Sequence, residues 1–213
     1  MKHIIWDFNG TLLADAQLSV DADNDVFDAL GLPRITLETY RKHMTMPVRD
    51  FYAALGIDLS VYPYETISRL WLERFNAGAV AAGLVPGALE AVRRFERLAI
   101  TQSVLSASYE PSLRAQCDAL GLTPHMREIE GLTNEKAEKK TDIGLRQMER
   151  LALAPQETVL VGDMEADAEL ARALGVSCVL VSWGHNDLER LVNTGCPVVH
   201  TFDELATVVE SMP

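Results

Sequence analysis

The chain has 213 residues, a formal net charge of −12, and 48% hydrophobic against 23% charged residues. That length can bury one good core, or one core and a small satellite domain, and the composition is that of a globular protein. No apolar run approaches the roughly 20 residues of a membrane-spanning helix, the acidic balance argues against a nucleic-acid partner, and Asp7 interrupts any signal-peptide pattern, which predicts a cytoplasmic protein.

The run Ile4-Ile5-Trp6-Asp7 is apolar and ends in a carboxylate, and Asn9-Gly10 behind it is a strong turn signal. This reads as a buried strand with Asp7 at its carboxyl end, where open α/β sheets place their ligands. Helical patterns follow over 20–30, 37–43, 48–55 and 64–81, with no convincing strand between them. From Leu84 onward strands and helices alternate. A helix is predicted from Pro86 to Phe95, then a strand ending at Ser106, then a helix from Glu110 to Leu120. Another helix runs from Asp142 to Leu153, with Leu145, Met148, Leu151 and Ala152 on one face. A strand ending at Gly162, a helix over 166–174, a strand over 176–181, a short strand at Val198-Val199 and a helix from Phe202 complete the chain. The βαβα pattern predicts a parallel sheet covered by helices. Cys117, Cys178 and Cys196 have no C-x-x-C spacing and are expected to be free thiols.

Asp7 and Asp163 both close apolar runs, so a parallel sheet would bring them to one edge, with Asp167 a helical turn beyond Asp163. Carboxylates gathered in this way repel unless a cation sits between them, and oxygen-only ligation suits Mg²⁺. Read singly, Asp163 and Asp167 are equally ordinary acids at a helix N-terminus. Lys136, Lys139 and Lys140 are a charge run from which one lysine could offset that negative charge. Arg41, Lys42, His43 and Arg49 form the most cationic patch of the early helices. His125, His185 and His200 have no evident partner and are expected in surface or core roles. Trp71 and Phe75 are expected in the core of the helical segment, and Trp183 at the rim of the cleft.

Asp7-Phe8-Asn9-Gly10-Thr11-Leu12, Ser106 at a strand end, the lysine run and Gly162-Asp163 with Asp167 resemble, in order, the four motifs of the haloacid dehalogenase (HAD) superfamily. The resemblance implies a Rossmann-like parallel α/β core over 1–14 and 84–213. It also implies a helical C1 cap over 15–83, inserted after the first strand, as in the phosphoglycolate phosphatase and β-phosphoglucomutase type. It implies a Mg²⁺-dependent hydrolase of a small phosphorylated metabolite, acting through an aspartyl-phosphate on Asp7. Asp7, the Asn9 backbone carbonyl, Asp163 and Asp167 would hold the metal. Thr11, Ser106, Ala107 and Arg49 would bind phosphate or substrate, and Lys140, favoured over Lys139 by its spacing from Asp163, would offset charge.

Asn9 departs from the pattern. The family's phosphatases have a second acid there, which protonates the leaving group and later activates water; an amide can do neither. Three explanations compete at this point: a natural amide with slow turnover or an undemanding leaving group, a protein that binds phosphorylated ligands without hydrolysing them, or an introduced Asp→Asn change.

Overall fold

The computed structural model describes residues 1–133 and 139–212. Its centre is a six-stranded, all-parallel sheet in the order β3-β2-β1-β4-β5-β6. The strands are β1 (His3–Trp6), β2 (Thr101–Tyr109), β3 (Glu128–Leu132), β4 (Thr158–Gly162), β5 (Ser177–Val181) and β6 (Val198–Val199). β1 and β4 are buried along their whole length, as expected of strands covered on both faces. One face packs Ile4, Trp6, Val104 and Val161 against Val92, Phe95 and Leu205. The other packs Ile5, Leu105 and Leu160 against Ile143, Met148, Ala171 and Leu174. The chain runs outward from β1 through β2 to β3, then returns to β4 on the other side of β1. That reversal lies between β1 and β4, and the carboxyl ends of the strands at such a switch point are where open α/β sheets bind their ligands.

Five helices lie between β1 and β2, and the first four form the inserted segment: α1 (Ala16–Leu30), α2 (Leu37–His43), α3 (Val48–Ala54) and α4 (Tyr64–Ala82). α1 stops at Gly31, whose φ of 69° continues the chain in the left-handed region. α2 starts at Thr36, whose hydroxyl accepts from Thr39 N. These helices enclose a cluster of their own, with Val26, Phe27, Tyr40, Phe51, Tyr52 and Ile67 at its centre. Phe75 and Ala79 of α4 instead join the main core, and Trp71 stacks on Phe75 with ring centroids 4.5 Å apart. The two crossings between this segment and the sheet pair with each other: Leu13 bridges Leu84, Ala14 N donates to Gly83 O, and Val85 N donates to Leu12 O.

The remaining helices are α5 (Ala88–Arg97), α6 (Glu110–Ala119), α7 (Lys140–Arg150), α8 (Glu165–Leu174), α9 (Leu188–Asn193) and α10 (Phe202–Ser211). Two expectations need correction. α7 buries Ile143, Gly144, Gln147 and Met148 while Leu145 is half exposed, so its inner face is rotated from the predicted one. β3, Glu-Ile-Glu-Gly-Leu, is a strand absent from the predicted elements, because two acids break its apolar pattern. At the sheet edge those acids pair with Arg150 of α7. The three cysteines are free.

Candidate active site

The parallel register sets the geometry. Trp6 lies opposite Val104 on one side and Val161 on the other, so Asp7, Ser106 and Asp163 all emerge at the carboxyl edge. Asp7, Asp163 and Asp167 are buried there, each offering an oxygen within 4.8 Å of the others. Lys140, the first residue of α7, donates from Nζ to Asp7 Oδ1 at 2.5 Å and to Asp167 Oδ1 at 2.9 Å. Lys139 is exposed, and Lys136 lies outside the described residues. Asp167 also does the helix-start work open to it, because its Oδ2 accepts from Asp163 N and Met164 N. Thr11 is fully buried and donates to Asp163 Oδ1, so its hydroxyl braces an acid of the cluster.

Burial pushes Asp7 up to about 6 against the pull of Lys140, and Asp163 up to about 8 against the pull of His185. Burial alone would also discharge Lys140, but Asp167 and Asp7 outweigh it and hold the ammonium above the ordinary lysine range. Among the described residues, three buried carboxylates thus gather around one bonded lysine. Such a set of hard oxygen donors with excess negative charge fits a divalent cation.

Two glycines make the close packing possible. A Cβ on Gly10, whose φ is +72°, would lie 2.3 Å from Asp163 Oδ2 and 2.4 Å from His185 Cδ2. A Cβ on Gly184 would lie 2.1 Å from Asp163 Oδ2. Nothing larger than glycine fits at either position.

His185 is the main correction to the sequence reading. It is buried in the site: its backbone N–H donates to Asp163 Oδ2, and its Nε2 faces Asp15 at 3.4 Å. Burial favours the neutral ring, yet Asp15, Asp163 and Asp7 outweigh it and hold the imidazole up at about 9, as a cation at neutral pH. Asp15 and Ser108 were also missed. Asp15 accepts from Gly10 N and Asn9 Nδ2, and Ser108 Oγ donates to Asn9 Oδ1 at 2.7 Å. Ser106 reaches the same oxygen only at 3.4 Å. The register between β2 and β3 shifts between Leu105 and Tyr109, so Ser106, half-buried Ala107 and Ser108 leave the ladder beside Asn9. No motif separates Asp15 or Ser108 from ordinary turn and strand residues; only proximity does.

The structure does not bring Arg49 to this cluster. It is exposed in the first turn of α3, with its guanidinium 5.8 Å from the centre of the Tyr64 ring, a cation–π position. Arg41 of the same patch does reach across, donating to Gly184 O and Trp183 O. Trp183 in turn donates from Nε1 to Thr11 O.

A profile of the family described as Haloacid dehalogenase-like hydrolase matches residues 4–181. A phosphoglycolate phosphatase of Mesorhizobium japonicum is 26% identical over 208 residues, spanning 95% of this chain and 92% of its own. A mutant of CbbY from Rhodobacter sphaeroides, solved in complex with xylulose-1,5-bisphosphate, is 27% identical, with a TM-score of 0.75 and 96% of each chain covered. A haloacid dehalogenase-like hydrolase from Streptococcus pneumoniae superposes with a TM-score of 0.84 over 98% of both chains; at 18% identity this is a likeness of fold.

Proposed function

The chain belongs to the haloacid dehalogenase-like hydrolase family, and from that premise we propose that it is a Mg²⁺-dependent phosphatase of a small phosphorylated metabolite. One observation carries the reading: Asp7, Asp163, Asp167 and Lys140 are gathered, buried, at the crevice between β1 and β4. Phosphoglycolate phosphatases among its relatives, and a sugar bisphosphate bound to a neighbour, support the substrate class. We propose the cytoplasm as its compartment.

In this reading a carboxylate oxygen of Asp7 attacks phosphorus in line. The ester oxygen leaves with the bonding pair and takes a proton from water, since Asn9 has none to give. Lys140 keeps Asp7 ionised and offsets charge on the phosphoryl oxygens, where Ser106 and the backbone N–H of Ala107 add hydrogen bonds. Water then attacks phosphorus and the Asp7–phosphorus bond breaks, which restores the carboxylate. Asp7, Asp163, the backbone carbonyl of Asn9 and, directly or through water, Asp167 would hold Mg²⁺, which when bound neutralises charge on the transferring group. Residues 15–83 act as a cap that excludes water from the crevice. Without a second acid at position 9, turnover is expected to be slower by about 10²–10⁴ than with full acid–base help.

The test is phosphate release from a panel including 2-phosphoglycolate and sugar phosphates, with Mg²⁺. Asp7→Asn is expected to lower the rate on the order of 10³-fold or more; full activity in that variant would overturn the mechanism. The locked Asn9 carboxamide favours a second reading, a protein that binds phosphorylated ligands without hydrolysing them. Tight binding with no release from any ester would decide for it.

A further inference from the structure

A run of polar contacts leads from helix α2 to the side chain of residue 9. The hydroxyl of buried Tyr40 lies 3.0 Å from Nδ1 of His185. The opposite nitrogen of that ring faces Asp15 Oδ1 at 3.4 Å. Asp15 is only 1% exposed, and both of its oxygens are engaged: Oδ1 by Gly10 N at 2.6 Å, Oδ2 by Asn9 Nδ2 at 2.7 Å. On its other side the Asn9 carboxamide accepts from Ser108 Oγ at 2.7 Å. Both ends of the amide are therefore held, and the holding reaches back through His185 to α2.

The Asn9–Asp15 contact has a direction. An amide N–H donates and a carboxylate accepts, so the two positions need one of each. With ionised carboxylates at both, two acceptor oxygens would face each other at 2.7 Å, a contact that only uptake of a proton could mend. With the pair inverted, an amide at position 15 could accept from Gly10 N through its oxygen. Its nitrogen could donate to a carboxylate at position 9, and both contacts of the pair would be kept. Position 9 is thus not an isolated departure from an acid. It is the donor half of a complementary pair.

We infer that Asp15 is a positioning residue that fixes the Asn9 carboxamide and, through His185 and Tyr40, ties its orientation to the seating of α2. The slow turnover proposed above then belongs to the pair rather than to Asn9 alone. An ionised carboxylate at position 9 is matched by a donor at position 15, which an amide supplies and an ionised Asp15 does not. The kinetic consequence rests on the phosphatase reading; the positioning does not.

The experiment compares the parent with Asn9→Asp, Asp15→Asn, the double variant Asn9→Asp/Asp15→Asn, and Tyr40→Phe. One arm measures kcat and KM for p-nitrophenyl phosphate with Mg²⁺. The double variant is expected to exceed Asn9→Asp in kcat by about tenfold or more, within the usual worth of a positioned acid–base group, with KM little changed. The second arm records side-chain amide NMR signals in asparagine-labelled protein, with Asn9 assigned by the loss of its pair in Asn9→Ala. Those signals are expected to shift in Asp15→Asn and in Tyr40→Phe. Equal kcat in Asn9→Asp and the double variant, or an Asn9 signal unmoved by Asp15→Asn, would overturn the inference. If Asn9→Asp alone does not fold while the double variant does, the complementarity is upheld. If no form releases phosphate, the phosphatase reading fails and the NMR arm alone decides the positioning.

Discussion

Asp23 shows how much a single buried group can impose on this chain. It lies inside the helical segment, 1% exposed, with a hydrogen bond from Tyr52 Oη at 2.9 Å as its support. Burial pushes its carboxyl up to about 7, and the Tyr52 bond only partly offsets that. The sign follows from proton counting. Between about pH 4 and 7 the unfolded chain has released this proton while the folded chain keeps it. Stability therefore falls as pH rises through that window, by on the order of 1 kcal/mol per unit, and levels off above pH 7. Asp23→Asn keeps an acceptor for Tyr52 and removes the titration. Thermal denaturation is expected to show the variant more stable than the parent at pH 7.5, with the gap closing towards pH 4; a gap independent of pH would refute the assignment. At the same scale, Asp7 was legible because it closes an apolar run at a motif position, whereas the sequence favoured Lys140 among three neighbouring lysines without deciding between them. Asp15 and Asp23 were not legible, since an acid before or within a helix is ordinarily a solvated one.

Between elements, the clearest device is Arg190. From α9 its guanidinium donates to Met44 O at 2.5 Å and to Arg41 O at 3.4 Å, and it also bonds Glu165. Carbonyls at the end of α2, which no helical N–H can satisfy, are thus held by the core. Asn186 adds a bond to Met44 O, and Arg41 reaches back to Gly184 O and Trp183 O. Charge-assisted, partly buried bonds of this kind are worth about 1.5–3 kcal/mol. Arg190→Ala is expected to lower stability by that order in chemical denaturation and to speed amide exchange at residues 37–46. Unchanged protection there would mean that α2 is seated by its apolar contacts alone. The periodicity of α2 and α4 was readable from sequence almost to the residue. β3 was not, because its acids are balanced by an arginine on another element.

Over the whole molecule, the excess acid is both spread across the surface and concentrated at one point, where three carboxylates gather around a lysine. A ligand that binds only the folded state stabilises it by about 2.7 kcal/mol at a hundred times its dissociation constant. In a chain of this length that is a rise in melting temperature of about 5–10 °C. Mg²⁺ is expected to produce such a rise in the parent and little in Asp163→Asn; equal shifts in both would argue against the cluster as the metal site. The sequence by itself determined the family, the parallel α/β architecture, and the sheet edge at which Asp7, Ser106 and Asp163 meet, while leaving the lysine to be chosen among Lys136, Lys139 and Lys140. Those follow from local patterns: apolar runs that end in a carboxylate, and helices with one apolar face. Only the tertiary structure decided that Asn9 is paired with Asp15, that His185 stands in the site, and that Arg49 turns to Tyr64 instead. Such contacts join residues through side-chain direction and burial, which no spacing along the sequence encodes.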